Sequence, residues 1–271
     1  MKRIYKILLI ISAVLAGSGV VICIVGFFLG GRLGDGGLAF WNDDPENLDD
    51  TGGTFSTVWD GGEEISADTV DSLHVDIAAG TLIVEYGDYD NIRVETSTSR
   101  TKAKVWMEGD TLNIKGRGRW FSLGEGGGAV RLYLPREIKL READLEAGAG
   151  SIEADHLRAD EIIIDVGMGE FISDGLVKAE VLDCTVGMGK LEIGEADCQE
   201  TYLDCSMGDL DIVMKGDWND YYLTGDCSLG DLSVEEESWN LNSDIEYGDE
   251  DGGRTIEAEC GMGDLNIGVT D

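Results

Sequence analysis

The sequence predicts an all-β fold: a single-stranded β-solenoid, or β-helix-like repeat, of about 20 residues, with an antiparallel N-terminal cap and one N-terminal transmembrane helix. Two observations predict the repeat. A phrase with one glycine at a fixed position recurs through the second half of the chain, and apolar residues alternate with polar ones on either side of that glycine. The copies are AGAGSIEA (147–154), VGMGEFIS (166–173), VGMGKLEI (186–193), CSMGDLDI (205–212), CSLGDLSV (227–234) and CGMGDLNI (260–267).

The glycines set the spacing of the repeat. The copies align on Gly150, Gly169, Gly189, Gly208, Gly230 and Gly263, and an outlying copy, IAAGTLIV (77–84), aligns on Gly80. From Gly150 onward the spacings are 19, 20, 19, 22 and 33 residues. Each repeat fits a strand, a corner and a second strand, because glycine tolerates a positive φ or a close backbone approach. A single turn buries no core alone, so the repeat indicates a stack.

Stacking in register, about 4.8 Å per turn, would place equivalent side chains in columns. The residues three before and two after each glycine are small or apolar, which predicts that they point inward. The residue directly before the glycine is also apolar, so we expect it to point inward as well. Inward residues directly before and two after the glycine are three apart, and this break in the alternation is what a corner requires. The column directly before the glycine is Ala79, Ala149, Met168, Met188, Met207, Leu229 and Met262.

The first 62 residues predict a membrane anchor and a linker. Residues 7–29 are an apolar run of 23 residues, long enough to cross about 30 Å of hydrocarbon as a helix. Three basic residues within 1–6 precede it, so the positive-inside rule predicts a cytoplasmic N-terminus and an extracytoplasmic C-terminal domain in the cell membrane. A cleaved signal peptide is the alternative, but its apolar core would be shorter. Residues 30–62, rich in Gly, Asp and Thr, indicate an acidic linker.

The charged residues after the apolar run are unevenly distributed along the chain. After the span, 17 basic residues face 55 acidic ones, a net charge of −38, which excludes a nucleic-acid-binding surface. Between Arg93 and Arg141, however, 11 basic residues accompany only five acidic ones. We therefore divide this region into a β-strand cap with a basic patch, 63–141, and a glycine-cornered stack, 142–271.

A glycine-rich loop of the cap is a candidate contact site. It carries Arg117, Arg119, Trp120 and Phe121, a combination that suits lipid headgroups or an anionic envelope polymer. The alternative is a hairpin loop whose aromatic rings fold back on the sheet. The sequence leaves both interpretations open.

The order of these features resembles a known family. An apolar strand that ends in Leu134–Pro135, followed by glycine corners at Gly150 and Gly169, is similar to the bacterial "putative-adhesin" family of β-strand-repeat proteins. The similarity covers residues 65–271. It implies an extracytoplasmic β-solenoid-like fold, commonly behind a short membrane helix, and for some members a place beside envelope-stress signalling systems of Gram-positive bacteria. It implies no agreed active site.

No catalytic or cofactor-binding motif stands out. The two histidines, His74 and His156, are far apart in sequence, and no serine elbow, P-loop or dinucleotide fingerprint is present. We therefore expect a protein that is not an enzyme and has no cofactor. Of the cysteines, Cys205, Cys227 and Cys260 share one inward column, where we expect small buried hydrophobic side chains.

Two outward columns of acids flank the corners. Asp204, Asp226 and Glu259 lie four residues before a glycine, and Asp209, Asp231 and Asp264 lie one residue after it. Charges about 5 Å apart repel by roughly 0.8 kcal/mol in water and about 3 kcal/mol at an effective dielectric of about 20. Because divalent cations favour clustered oxygen ligands, the columns predict weak, non-stoichiometric binding of Ca²⁺ or Mg²⁺. A freely solvated acidic face is the alternative, and the long spacing before Gly263 could interrupt both columns.

Three functions fit these features. The main hypothesis is a non-enzymatic, membrane-anchored extracytoplasmic protein in cell-envelope interaction or envelope-stress response, with an envelope polymer or a membrane protein as its partner. The first alternative is a surface adhesin that binds glycan or protein, with Trp218, Tyr221, Tyr222 and Trp239 as candidate sugar-stacking residues. The second alternative is a β-helical scaffold that polymerises end to end.

The topology can be tested on intact cells. We expect protease added outside to cut residues 32–271 and to leave the Met1–Arg3 end intact, because the basic residues precede the span. Immunoblotting for tags at the two ends reads this out. A C-terminal region that stays protected until the cells are lysed contradicts the predicted orientation.

Overall fold

The structure, a computed structural model, describes residues 64–96, 102–117, 129–235, 237–240 and 243–270, together with the backbone of a short antiparallel pair, β1 (Leu33–Gly34) and β2 (Gly37–Leu38). The chain divides into two compact units, Met1–Thr54 and Phe55–Asp271. The predicted cytoplasmic tail and transmembrane helix lie outside the described residues. Within the described part, no helix is long and apolar enough to span a bilayer.

From Glu64 onward the described chain is β-structure with two short 3₁₀ helices, η1 (Ala67–Thr69) and η2 (Trp218–Asp220). The strands before the repeat are β3 (Glu64–Ser66), β4 (Ser72–Ala79), β5 (Thr81–Gly87), β6 (Asn91–Thr96), β7 (Lys102–Glu108), β8 (Thr111–Arg117) and β9 (Ala129–Pro135). The repeat comprises β10 (Leu140–Ala147), β11 (Ser151–Ala154), β12 (Leu157–Val166), β13 (Glu170–Lys178), β14 (Val181–Val186), β15 (Lys190–Asp197), β16 (Glu200–Cys205), β17 (Asp209–Lys215), β18 (Tyr221–Cys227) and β19 (Asp231–Val234). The last strands are β20 (Glu237–Asn240), β21 (Ser243–Gly248), β22 (Arg254–Cys260) and β23 (Asp264–Thr270).

Twenty-one of these strands form one continuous sheet, which folds at the glycine corners into two walls. The first wall holds the strand before each corner, and the second wall holds the strand after it. Neighbouring repeats pair in parallel with equivalent residues opposite each other; for example, Ala147 lies opposite Val166 in the first wall, and Ile152 lies opposite Phe171 in the second. The predicted all-β, β-helix-like repeat is confirmed.

The coils do not stack in chain order. We define a coil as the two strands joined by one corner and name it by its glycine. The coils of Gly150, Gly169, Gly189 and Gly208 follow one another in space as in sequence. The C-terminal Gly263 coil, β22 with β23, instead lies between the Gly208 coil and the Gly230 coil. The chain therefore leaves one position of the stack open after the Gly208 coil and forms the Gly230 coil beyond it. The strands β22 and β23 then fill the open position.

Antiparallel strands flank the stack on both sides. On the N-terminal side, β8 and β9 pair in parallel with β4 and β5 of the Gly80 coil, and β7 and β6 pair antiparallel with β8 and β9. On the C-terminal side, β21 and β20 pair antiparallel with β18 and β19. These strands cover edges that would otherwise expose unpaired backbone groups.

The core consists of apolar columns between the two walls. Side chains two residues after the corner glycines have an exposed fraction of 0%: Leu82, Ile152, Phe171, Leu191, Leu210, Leu232 and Leu265. The column three residues before the glycines is buried as well, as the sequence predicted. Each fully buried Leu, Ile or Phe contributes roughly 1.5–3 kcal/mol relative to exposure, so the columns supply most of the stabilisation.

The position directly before each glycine is different. The sequence predicted an inward column there, and that prediction is wrong, because Met168, Met188, Met207, Met262 and Leu229 are between 41% and 62% exposed. The corner spans three residues, and its middle residue projects from the apex. The glycine itself faces the interior: a Cβ added to Gly189 would lie 2.7 Å from the side chain of Val166 in the preceding coil.

Close approach between coils explains why these corners need glycine. A Cβ on Gly169, Gly189 or Gly208 would collide with the carbonyl oxygen of the corner glycine one coil away. Among the corner glycines only Gly80 has a positive φ, 107°. Backbone hydrogen bonds between coils are present on both sides of the corner glycines; at the Gly208 corner the N–H of Met207 donates to the carbonyl of Gly187 at 2.8 Å, and the N–H of Asp209 donates to that of Gly189 at 3.0 Å.

Substitution of a corner glycine tests this account. We expect Gly208→Ala to lower the free energy of unfolding by about 2–4 kcal/mol, since the backbone cannot move away from the added methyl group without breaking the ladder. Gly268→Ala is the matched control: the nearest atom to its added Cβ, a methyl carbon of Val213, is 3.9 Å away. That variant should change stability by less than about 0.5 kcal/mol. Urea unfolding followed by tryptophan fluorescence measures both, and equal losses would contradict the close-approach account.

Candidate binding site

A shallow pocket lies beside the Gly230 coil, between η2 and the turn that follows β21. It is lined by Trp218, Asn219, Tyr247, Gly248, Asp249, Glu250 and Asp251. Two aromatic rings thus face an amide and three carboxylates. The pocket therefore combines aromatic faces with several polar groups.

Local hydrogen bonds and a glycine hold the turn that carries Trp218. The side chain of Asp217 accepts a hydrogen bond from the backbone N–H of Asn219 at 2.9 Å. In return, the side chain of Asp220 accepts from the N–H of Asp217 at 3.3 Å, which completes a capping box. Gly216 enters this turn with a φ of 118°, a conformation in which any side chain would be strained.

The aromatic rings form an edge-to-face cluster. Trp218 lies 5.0 Å from Tyr247 between ring centroids, at an interplanar angle of 88°. Trp239 packs on the same tyrosine at 5.9 Å, and Trp218 also meets Tyr221 at 6.1 Å. Such pairs are worth about 0.5–1.5 kcal/mol each beyond their buried area, so they hold the pocket rings in place.

Hydrogen bonds fix the two inner rings of this cluster. The indole N–H of Trp218 donates to Glu235 Oε1 at 3.2 Å, and the same oxygen accepts from the N–H of Val269 at 3.0 Å. Tyr221 is fully buried, and its hydroxyl donates to the carbonyl of Lys215 at 2.7 Å. Burial raises the pKa of Tyr221. The rings are therefore held by polar contacts as well as by packing.

Arg254 ties this cluster to the body of the stack. Its guanidinium donates to the hydroxyl of Tyr221 at 2.8 Å and to Asp197 Oδ1 at 3.0 Å. Asp197 also accepts from Lys178 at 2.8 Å, and this hydrogen bond is the main reason that the pKa of Asp197 is lowered. These contacts thus join strands of four coils, β13, β15, β18 and β22.

The predicted sugar-stacking residues divide into two groups. The structure places Trp218 in the pocket and Trp239 against its tyrosine, whereas Tyr221 is buried and Tyr222 does not line the pocket. Sequence reasoning missed Tyr247 and the acids of Asp249–Asp251. Their run, YGDED, has the composition of a turn, and the antiparallel pairing of β21 with β18 brings it next to η2.

The predicted cation ligands form two continuous columns. In the first wall Asp204 lies opposite Glu259, and Glu259 lies opposite Asp226. In the second wall Asp209 lies opposite Asp264, and Asp264 lies opposite Asp231. The interruption considered before Gly263 does not occur, because the last coil is inserted between the other two.

Metal binding and lipid contact remain predictions. In the described part of the chain, no group of three or more His, Cys, Asp or Glu side chains is arranged to hold a metal ion. Weak binding of Ca²⁺ or Mg²⁺ along the columns would not need such a group. The side chain of Arg117 and the residues Arg119, Trp120 and Phe121 lie outside the described residues.

Carboxylates in the first wall have raised pKa values. For Glu146 the main cause is partial burial, followed by repulsion from Asp76 and Asp165. For Asp165 it is again partial burial, followed by repulsion from Asp144 and Asp183. Stacking in register therefore holds like charges close together at this surface.

The cysteines are buried and unreactive. Cys205, Cys227 and Cys260 stack directly on one another, and each thiol donates to the carbonyl of its own corner glycine, at 3.1, 3.2 and 3.2 Å. Burial raises the pKa of Cys205 to about 11 and that of Cys260 to about 12, so these thiols stay protonated at neutral pH. All five described cysteines, including Cys184 and Cys198, are free.

Comparisons with known proteins give structural likeness alone. No family model matches the chain, and no curated protein matches it. A "putative cell adhesion protein" from Clostridium sporogenes ATCC 15579 is similar, with 13% identity and a TM-score of 0.40, over 77% of this chain and 97% of its own. A "putative adhesin" from Bacteroides fragilis NCTC 9343 has 11% identity and a TM-score of 0.33, over 76% and 95%. A "putative lipid binding protein" from Parabacteroides distasonis ATCC 8503 has 13% identity and a TM-score of 0.30, over 74% and 93%. Each of these names belongs to the matched protein and assigns no function to this chain.

The raised carboxylate pKa values predict the pH dependence of stability. A folded state that raises a pKa binds the proton more tightly than the unfolded chain does, so this contribution is greatest at low pH and is lost as pH rises through the raised value. Asp165→Asn should therefore raise the melting temperature at neutral pH and weaken its fall with rising pH. Asp197→Asn is the opposite control, because a lowered pKa stabilises at neutral pH and that contribution is lost on acidification. Thermal unfolding between about pH 4 and pH 8 measures both; a decrease with Asp165→Asn at neutral pH would contradict the assignment.

Proposed function

We propose that this protein is a non-enzymatic surface adhesin that binds carbohydrate in the pocket at Trp218 and Tyr247. The observation that carries the proposal is the pocket lining, in which fixed aromatic rings meet Asn219, Asp249, Glu250 and Asp251. Aromatic faces bind the C–H face of a sugar ring, and carboxylate and amide oxygens accept hydrogen bonds from its hydroxyl groups. A pocket with both features suits a pyranose better than it suits an apolar ligand.

Charge narrows the class of sugar. Three carboxylates line the pocket, and no basic side chain lines it. Uronic acids, sialic acids and sulfated sugars would be repelled, whereas neutral sugars and amino sugars would not. We therefore propose neutral or amino sugars as the ligand class.

Rigidity supports binding by this pocket. The aromatic cluster, the capping box and the Arg254 contacts hold the binding groups before the ligand arrives. A site that is already ordered loses little conformational entropy on binding, which favours a weak polar ligand such as a sugar. Repetition of the protein on a cell surface would then add avidity.

The cellular setting of the proposal rests on the N-terminal sequence. A transmembrane helix at 7–29 with the N-terminus in the cytoplasm would hold the β-stack outside the cell membrane. An envelope polymer or a membrane protein is then within reach, so envelope interaction or envelope-stress response is the second candidate function. A polymerising scaffold is disfavoured by the antiparallel strands next to the end coils and by the net charge of −38 after the span.

Glycan arrays test the carbohydrate site. We expect the full-length chain to bind a subset of neutral or amino glycans, and Trp218→Ala to abolish that binding because it removes the stacking face. Trp106→Ala is the matched control, since Trp106 is a half-buried tryptophan of β7 under Lys104, in the N-terminal cap. That variant should bind as the unsubstituted chain does.

Two further results would sink the proposal. The first is unchanged glycan binding by Trp218→Ala that melts at the temperature of the unsubstituted chain. The second is binding confined to sulfated or sialylated glycans, which the carboxylate lining excludes. Trp218→Phe, which keeps a ring on Tyr247, separates stacking from packing and should retain part of the binding.

A further inference from the structure

One column of side chains stands out on the surface. Six large hydrophobic residues of the described chain are exposed, and five of them share the position directly before a corner glycine. In spatial order they are Met168, Met188, Met207, Met262 and Leu229. We call this row the methionine ridge. Scattered apolar residues on a surface are ordinary, but a continuous row of five marks an interaction surface.

The backbone holds the ridge rigidly. The N–H of Met188 donates to the carbonyl of Gly167 at 2.7 Å, and the N–H of Met207 donates to that of Gly187 at 2.8 Å. The same bond recurs from Met262 and Leu229 to the coil beneath, at 2.7 Å each. Five rungs spaced about 4.8 Å apart give a straight row of roughly 19 Å. The side chains are flexible while their attachment points are fixed, which suits a surface that adapts to a partner.

The fold itself does not require methionine at this position. Ala149 occupies it in the Gly150 coil, and its N–H makes the same kind of bond, to the carbonyl of Ala78 at 3.0 Å. A polar residue would also project into solvent without cost. The large apolar side chains of the central coils therefore add nothing to packing inside the stack and expose apolar surface to water.

Acids flank the ridge on both sides. On the first wall, the row is Asp165, Thr185, Asp204, Glu259 and Asp226, so four of its five side chains are carboxylates. On the second wall, the row is Glu170, Lys190, Asp209, Asp264 and Asp231. A shallow groove with a floor of glycine backbone, at Gly150, Gly169 and Gly189, separates Met168 and Met188 from this second row. The surface is thus an apolar line with acidic margins.

We propose that the methionine ridge is a docking site for a cationic amphipathic helix of a partner protein. An apolar line with acidic margins is complementary to an apolar face bordered by Lys and Arg. The same charges repel an anionic membrane and the identical ridge of a second copy. Residues one turn apart on a helix recur about every 5.4 Å, close to the rung spacing, whereas side chains on one face of an extended strand recur about every 6.7 Å. A helix of about 13 residues spans the ridge.

This site is separate from the carbohydrate pocket. None of the residues that line the pocket belongs to the ridge or to its acidic margins. A glycan and a helical partner could therefore bind to one molecule together, and neither proposal depends on the other.

Peptide binding to the full-length chain tests the ridge. The probe is a fluorescent 18-residue amphipathic helix of Leu and Lys, about five residues longer than the ridge requires, and the reference probe has Glu in place of Lys. We expect the Lys peptide to bind and the Glu peptide to bind at least about tenfold more weakly. The double variant Met188→Gln/Met207→Gln should weaken the Lys peptide by about tenfold or more, because two apolar contacts are lost. Tyr202→Gln is the control: Tyr202 is 39% exposed but lies on the first wall, away from the ridge.

The other outcomes contradict the proposal. Equal binding of the two peptides would mean that the acidic margins do not select the partner. Equal loss with Tyr202→Gln would mean that the ridge is not the site. Binding to vesicles of anionic lipid, or self-association that Met188→Gln/Met207→Gln abolishes, would assign the ridge to a membrane or to a second copy. Because all substituted side chains are exposed, matched melting temperatures are expected and confirm that folding is intact.

Discussion

The structure depends on how closely successive corners approach. At each corner the backbone of one coil rests directly on the carbonyl of the next corner glycine, at a distance that leaves no room for a Cβ. This contact lets backbone hydrogen bonds between coils form on both sides of the bend, in the first wall and in the second. Next to the corners, equivalent residues of neighbouring coils therefore lie opposite each other.

A fixed register turns every repeat position into a column, both inside and outside. Inside, Leu lies on Leu and Cys lies on Cys in neighbouring coils, so that every coil contributes side chains to one continuous core. Outside, the same rule places carboxylate on carboxylate and methionine on methionine. The acidic columns cost stability: the pKa of Asp165 is raised first by partial burial and then by repulsion from Asp144 and Asp183. The methionine ridge exposes apolar surface. Both surface features follow directly from the register of the core.

Much of the fold could be predicted from the sequence, because periodicity is a local property. The strands, the corner glycines and the inward columns around Leu191 and Leu210 all follow from alternation and spacing. The direction of Met188 could not be predicted in this way. Its apolar character favoured the core, whereas the three-residue corner turns it outward and leaves the glycine to face inward. The pocket at Trp218 was predicted only in part. The sequence indicated the aromatic residue, but Tyr247 and its acids lie in a later turn that the antiparallel pairing of β21 with β18 brings near.

The order of the last coils could not be predicted from the sequence either. The Gly230 coil pairs with the C-terminal Gly263 coil, which in turn pairs with the Gly208 coil. The strands that carry the aromatic cluster therefore rest on a segment made after them, and Arg254 at the start of that segment supplies the contacts to Tyr221 and Asp197. The spacing of the glycines gives the number of residues between two coils, but it does not show which coils lie next to each other. Two sets of contacts therefore build the pocket: the pairing of β21 with β18 brings its rings and acids together, and the final coil joins β18 to the body of the stack.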